Sequence, residues 1–178
     1  MARNTYVAFL RGINSGRNPS VKMHTLRAVF ESLGFDEVRT VLASGNVIFE
    51  AKSTDKKILE SRIEEVLPDM IGFESPVILL TAGELQKLFL SNPFKDVVRT
   101  LHKKLYTSFV KQDEMPSQEY PIDGEGFTIL GVFNGVVCSV VNLPVGRTPE
   151  LMRALDRVFG KTTTTRSWST IERILKMS

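Results

Sequence analysis

Short apolar runs and helically spaced apolar residues alternate along the first eighty residues of the chain. Runs rich in β-branched residues predict strands, and apolar residues recurring three and four positions apart predict amphipathic helices. The predicted order is strand Thr5–Leu10, a helix capped by Ser20 and ended by Gly34, strands Val38–Leu42 and Val47–Glu50, a helix from Thr54 to near Pro68, and strand Pro76–Leu80. Residues 1–80 are therefore predicted to form a βαββαβ, ferredoxin-like unit.

A second series of elements follows a helical segment. Thr81 and Glu84 have the spacing of a capping box, and residues 81–104 are interpreted as a helical connector. The later predicted elements are strand Leu105–Val110, a helical turn within Pro116–Ile122, strands Phe127–Phe133 and Val136–Val141 around Asn134-Gly135, a helix from Thr148 to Gly160, strand Thr162–Arg166 and a last helix carrying Ile171, Ile174 and Leu175. The predicted class is α+β, with two ferredoxin-like (βαββαβ) halves, 1–80 and 105–178, forming a duplicated α/β sandwich with an extra C-terminal helix.

The composition indicates a globular protein: of 178 residues, 42% are hydrophobic and 24% are charged. No segment approaches the roughly 20 apolar residues of a membrane-spanning helix, so we expect a cytoplasmic protein without a membrane partner. The single cysteine, Cys138, lies in an apolar run and is expected to be buried. His24 and His102 are isolated, so we predict neither a metal site nor a cofactor.

The positive charge is concentrated at the two ends of the chain. Residues 1–30 hold five cations and no carboxylate, and residues 147–178 hold seven cations and three carboxylates, while the segment between them is acidic. If the ends meet in space, their fields add over one surface and favour an anionic partner. The alternative is that these charges lie on separate solvated faces.

The segment LRGINSGRNPSVK, residues 10–22, follows the first predicted strand and contains three cations without a carboxylate. Gly12 allows the backbone to approach a ligand closely, and Arg11, Asn14 and Lys22 are candidate donors to an anion beside the amino end of the next helix. The pattern is neither a P-loop nor a dinucleotide-binding fingerprint. The alternative is a plain turn in which Arg11 pairs with a carboxylate.

Asn46, in Ser44-Gly45-Asn46, is a second candidate ligand-binding residue. We expect the hairpin that contains it to lie at the opposite end of the sheet from the loop after the first strand. The alternative interpretation is that Ala43-Ser44-Gly45-Asn46 form a plain turn.

Arg166 and Trp168 form a third candidate constellation, at the opening of the last helix. An arginine and an indole can together hold a phosphate and stack on a base or sugar. The alternative is a core tryptophan that anchors the helix, with Ser167 or Ser169 as its cap. The anion-binding hypothesis predicts that Arg11 and Arg166 converge on one pocket.

Several short motifs resemble the DUF1697 family of bacterial proteins of uncharacterised function. They are FLRGIN at 9–14, LRAVFESLGF at 26–35, SGNVIF at 44–49, NPF at 92–94 and TTTTRSW at 162–168. The resemblance implies two α+β, ferredoxin-like halves. It implies no activity.

The sequence leaves three functions open. The first is binding of a phosphate-bearing small molecule or nucleotide by Arg11 and the other candidate residues. The second is a nucleic-acid-binding module that stacks bases on strand aromatics, for which Tyr6, Phe49 and Tyr106 are candidates. The third is a small phosphohydrolase of acylphosphatase type that uses Arg11 and Asn46, a comparison at the level of the fold.

Overall fold

The computed structural model of this chain describes residues 2–111 and 115–178. Within these ranges the chain forms a mixed α+β fold with two antiparallel sheets and five α-helices, which confirms the predicted α+β class. The chain divides into two compact units. Unit 1 comprises the residues up to Leu85 together with Arg173–Ser178, and unit 2 comprises Gln86–Glu172. None of the helices in the described ranges is long and apolar enough to cross a membrane.

Unit 1 is built on a four-stranded sheet with two helices packed on one of its faces. Its elements are β1 (Arg3–Leu10), α1 (Met23–Ser32), β2 (Asp36–Thr40), β3 (Asn46–Lys52), α2 (Lys56–Ile71) and β4 (Val77–Thr81), after which α3 (Ala82–Leu90) begins. The strand order is β2-β3-β1-β4, and all neighbours are antiparallel. Alternate residues of β1, such as Tyr6 and Ala8, join Phe30 of α1 and Leu59 of α2 in a single core.

The start of α1 differs from the prediction. The helix begins at Met23, and Lys22 is its N-cap without a side-chain cap, so the predicted cap at Ser20 is wrong. The cause lies earlier in the chain, because both backbone groups of Val21 are hydrogen-bonded to the side chain of Asn14. These bonds hold the residue before the N-cap outside the helix.

The end of α2 also differs from the prediction. The helix passes through Pro68 and continues to Ile71, and Gly72 caps it at a φ of +90°. A proline in a helix interior costs about 3 kcal/mol. Burial of an aliphatic side chain contributes about 1.5–3 kcal/mol, and Ile71, the residue beyond the proline that enters the core, offsets most of this cost.

Unit 2 contains a five-stranded sheet. Its elements are β5 (Lys103–Phe109), β6 (Ile122–Gly124), β7 (Phe127–Phe133), β8 (Val136–Asn142), α4 (Thr148–Phe159) and β9 (Thr164–Ser167), after which α5 (Trp168–Leu175) begins. The strand order is β6-β7-β8-β5-β9, again antiparallel throughout. Leu151, Leu155 and Phe159 of α4 pack on this sheet.

The predicted helical turn within Pro116–Ile122 is wrong. Residues 115–121 contain no helix, and Ile122 opens the edge strand β6. Pro121 lacks a backbone N–H and disfavours the helical conformation of Tyr120 before it, so a helical turn is not favoured here. Tyr120 and Ile122 instead pack against the core under α4.

Two local predictions are confirmed at the level of hydrogen bonds and dihedral angles. Thr81 Oγ1 accepts the backbone N–H of Glu84 at 3.1 Å, and the Glu84 carboxylate accepts the backbone N–H of Thr81 at 2.7 Å, so the capping box is present. Asn134 and Gly135 have φ values of +49° and +76°, as a tight hairpin turn between β7 and β8 requires.

Candidate functional site

The loop after β1, the β2–β3 turn and the start of β4 meet at one end of the unit 1 sheet. The backbone N–H of Leu10 donates to the carbonyl of Gly45 at 2.9 Å, and Leu10 lies opposite Val77, the first residue of β4. The prediction that the hairpin lies at the opposite end from the loop after β1 is therefore wrong. Because β1 and β3 are antiparallel, with Phe9 opposite Asn46, the end of β1 lies beside the start of β3.

Asn14 fixes the conformation of the loop between β1 and α1. Its Nδ2 donates to the carbonyl oxygens of Val21 at 2.9 Å and Ala43 at 2.8 Å, and its Oδ1 accepts the N–H of Val21 at 2.8 Å. Its φ of +51° lies in the left-handed region, which asparagine tolerates better than most residues. Both amide hydrogens are thus engaged in tying the loop to the start of α1 and to the β2–β3 turn.

The beginning of the loop is held by backbone contacts. Gly12 has a φ of +80°, and a β-carbon there would lie 2.8 Å from Nδ2 of Asn18, so both conformation and space favour glycine. Asn18 Nδ2 donates to the Gly12 carbonyl at 3.2 Å. Arg11 is partly buried, and its carbonyl accepts the hydroxyl of Ser75 at 2.7 Å.

A depression of about 650 Å³ opens at the amino end of α1. The residues that line it are Asn14, Gly16, Asn18, Ser20, Val21, Lys22, Met23, His24 and Ala43, and none of these is acidic. Lys22 and His24 are exposed, and no side chain caps the first turn of α1. The first N–H groups of an α-helix lack intrahelical acceptors and carry the positive end of the helix dipole. An anion in this depression would therefore meet a cation and a helix amino terminus, and it would meet no acidic residue among those that the structure describes there.

Asn46 lies at the start of β3 and is fully buried. Its side-chain Nδ2 donates to the carbonyl of Val41 at 2.8 Å and to Oγ of Ser44 at 3.0 Å. Its backbone carbonyl accepts the N–H of Val41 at 2.9 Å. These bonds close the β2–β3 turn. The structure therefore gives Asn46 the turn-forming role that the sequence left open.

Arg166 and Trp168 lie at the junction of β9 and α5. Arg166 is partly buried, its Nη1 donates to the carbonyl of Thr165 at 2.9 Å, and burial lowers the pKa of its guanidinium to about 10, so it stays protonated at neutral pH. Trp168 is only 4% exposed. Its ring stacks on Phe89 at 5.7 Å and meets Phe94 edge-on at 5.1 Å, which places the indole in the core at the start of α5.

The structure brings together only part of the predicted site. Asn14 and Lys22 both line the depression, whereas Ser20 and His24 line it without having been predicted as site residues. A sequence signal for them does exist, since they lie four residues apart on either side of Lys22, just where the helix begins. Arg11 belongs to unit 1 and Arg166 to unit 2, and their convergence stays a prediction.

The strand aromatics are placed in the interior. Tyr6 and Phe49 are fully buried, and their rings stack on each other at 5.6 Å. Tyr106 is partly buried, and its hydroxyl lies 2.9 Å from Oγ1 of Thr148. Base stacking needs an exposed ring face, which neither Tyr6 nor Phe49 offers.

The chain matches one protein family and is similar in fold to a solved bacterial structure. A family profile described as "Protein of unknown function (DUF1697)" matches residues 3–124, which confirms the resemblance noted from the motifs. Among solved structures, the conserved bacterial protein SP0830 from Streptococcus pneumoniae is similar, with 17% sequence identity, a TM-score of 0.70 and coverage of 99% of each chain. At this identity the likeness shows a shared fold alone. No curated protein matches the chain.

Proposed function

The chain belongs to DUF1697, a family of proteins of unknown function, and we propose that it binds an anionic, phosphate-bearing small molecule or nucleotide at the amino end of α1. The observation that carries the proposal is the depression beside Lys22 and His24, in which none of the described lining residues is acidic. The proposal concerns binding and assigns no reaction.

The charges around the depression support an anionic ligand. Of the five cations in the first 30 residues, Arg3 pairs with Asp36 and Arg27 with Glu31, so the charge that supports an anionic ligand comes from the exposed Arg17 and Lys22, beside the start of α1. Lys22 is the N-cap residue, and no ion pair among the described residues involves its ammonium. A phosphate placed there would accept hydrogen bonds from the first-turn amides and from Lys22, and bonds to charged groups contribute about 1.5–3 kcal/mol.

The loop supports binding by being ordered before the ligand arrives. Asn14 is hydrogen-bonded to Val21 and Ala43, so the loop conformation does not depend on the ligand. A rigid site avoids the entropy that ordering a loop on binding would cost. The roles of Arg11 and Arg166 in the same site are part of the proposal and rest on their charge alone.

We also infer the finer description of the fold, a ferredoxin-like duplication. Unit 1 has the order β2-β3-β1-β4, and unit 2 has the same order as β7-β8-β5-β9 when its additional edge strand β6 is left out; a helix corresponding to α1 is absent from the described residues of unit 2. α4 connects β8 to β9 just as α2 connects β3 to β4. This equivalence supports two halves, residues 1–80 and 105–178, joined by the connector 81–104.

The binding proposal is tested by thermal unfolding with inorganic phosphate, ATP and glucose 6-phosphate as probes. A ligand at 100 times its Kd stabilises the folded state by about 2.7 kcal/mol, which raises Tm by roughly 5–11 °C for a chain of this size. Lys22→Ala should weaken the affinity for the active probe roughly tenfold or more, since a charge-assisted bond is lost.

Lys52→Ala is the matched control. Lys52 is an exposed lysine at the other end of the same sheet, where it lies opposite Arg3. It should leave the affinity unchanged. The proposal fails if no probe raises Tm, or if the two lysine variants lose affinity equally, which would indicate nonspecific attraction between the protein and the anion.

A further inference from the structure

Two hydroxyl groups are enclosed in unit 2 without a protein partner. Oη of Tyr120 and Oγ of Ser139 are buried, and neither has a hydrogen-bond partner in the described part of the chain. Other hydroxyls of the same unit are paired, since Tyr106 meets Thr148 at 2.9 Å. Among the described residues, these two are the buried side-chain atoms that lack a partner.

Both hydroxyl groups belong to the core under α4. Ser139 lies between Val137 and Val141 at alternate positions of β8, and these two valines are members of that core. Side chains at alternate positions of a strand share one face of the sheet. Tyr120 packs against the same core, so its side chain lies on the same side of the sheet as Ser139.

A β-bulge lies at the same place. Ile129 of β7 pairs with Ser139, but the next pair joins Gly131 to Cys138, so Leu130 is an extra residue in β7. Such a residue is left without its ladder partner. A β-carbon on Gly131 would lie 3.8 Å from Cβ of Tyr120, so the tyrosine packs directly beside the bulge.

We propose that Tyr120, Ser139 and the backbone of the Leu130 bulge form an internal polar site that binds a water molecule. Buried water in proteins makes about three hydrogen bonds to polar groups that otherwise lack partners. Two hydroxyls and one backbone group of Leu130 would together supply that number. Burial also raises the pKa of Tyr120, so its phenol stays protonated at neutral pH and can donate.

The test removes each hydroxyl group without changing the hydrocarbon around it. Tyr120→Phe and Ser139→Ala should each lower Tm by about 2–4 °C, because each leaves the water with one bond fewer. The double variant should lose less than the sum of the two single losses, since both hydroxyls hold the same water. Tyr106→Phe gives the loss expected for a tyrosine hydroxyl with a partner, and the exposed Ser117→Ala gives the baseline.

Three results would overturn the proposal. If the two hydroxyls have no hydrogen-bond partner at all, including water, their removal leaves Tm unchanged or raises it, because a buried polar group without a partner destabilises the folded state. Strictly additive losses would also exclude a shared water. A crystal structure of the unmodified protein gives a readout independent of the variants. Ordered water density should appear within hydrogen-bond distance of Oγ of Ser139, and a dry site there would contradict the proposal.

Discussion

The buried carboxylate of Glu60 in α2 accepts a hydrogen bond from the backbone N–H of Leu79 in β4 at 2.8 Å. Because β4 lies at the edge of its sheet, its alternate N–H groups point away from β1. Glu64, one turn further along α2, accepts the N–H of Val77 at 2.8 Å. Two carboxylates thus take the place of a neighbouring strand and block these edge amides from pairing with another chain.

Replacing Glu60 should show the strength of this contact. Glu60→Ala leaves the N–H of Leu79 buried and unpaired, so the free energy of unfolding should fall by about 1–3 kcal/mol. Glu60→Gln keeps an acceptor oxygen and should lose clearly less. Urea denaturation measures both values, and equal losses in the two variants would show that the carboxylate charge, not the hydrogen bond, matters.

Glu84 should make stability depend on acid pH. Burial alone would raise the pKa of its carboxyl, but hydrogen bonds from the Lys56 ammonium and from Thr81 outweigh burial and lower the pKa below the ordinary 4.5. Because the folded pKa is the lower one, the stabilisation is fully present above pH 4.5 and is lost as the pH falls through the folded value.

Glu84→Gln is the variant that isolates this contribution. The difference in unfolding free energy between the native protein and Glu84→Gln should be largest near neutral pH and should shrink below pH 4.5. Chemical denaturation at several pH values measures it. A difference that stays constant down to pH 3 would mean that the contact with Lys56, which lies 2.6 Å from the Glu84 carboxylate, is not electrostatic.

These carboxylates show how far the sequence predicts the fold. The capping box at Thr81 and Glu84 was predictable because its two residues lie three positions apart. The contact of Glu60 with Leu79 was not, since it joins a helix to an edge strand 19 residues later and needs the tertiary arrangement. The predicted end of α2 was wrong for the same reason. Ile71 is buried only in the folded core, and this burial lets the helix continue past Pro68.

The candidate site shows the same division. Composition and the position before a helix were enough to select Lys22, which lines the depression. The actual partners of Asn14 were not predictable, because Ala43 comes near it only through the antiparallel pairing of β1 with β3. That pairing also brought the β2–β3 turn to the same end as the loop after β1.

Asn14 should affect the site through the loop. Asn14→Gly keeps a residue that accepts a positive φ but removes the three hydrogen bonds to Val21 and Ala43, so we expect a loss of about 1–3 kcal/mol in unfolding free energy. Phosphate affinity should fall together with stability, because the loop is no longer held in place. Isothermal calorimetry and urea denaturation measure the two quantities. Lost affinity at unchanged stability would instead indicate direct contact of Asn14 with the ligand.

Cys138 should be unreactive in the folded protein. Its side chain is fully buried in β8, and burial raises the pKa of the thiol to about 12, so almost no thiolate exists at pH 8. An exposed cysteine, with a pKa of about 8.5, is substantially ionised there. Alkylation by iodoacetamide at pH 8 should therefore be at least about a thousandfold slower in the native protein than in concentrated urea. Ser117→Cys adds an exposed thiol in the same unit and should react at once. Equal native rates for the two thiols would show that β8 opens readily and that the core under α4 is not closed.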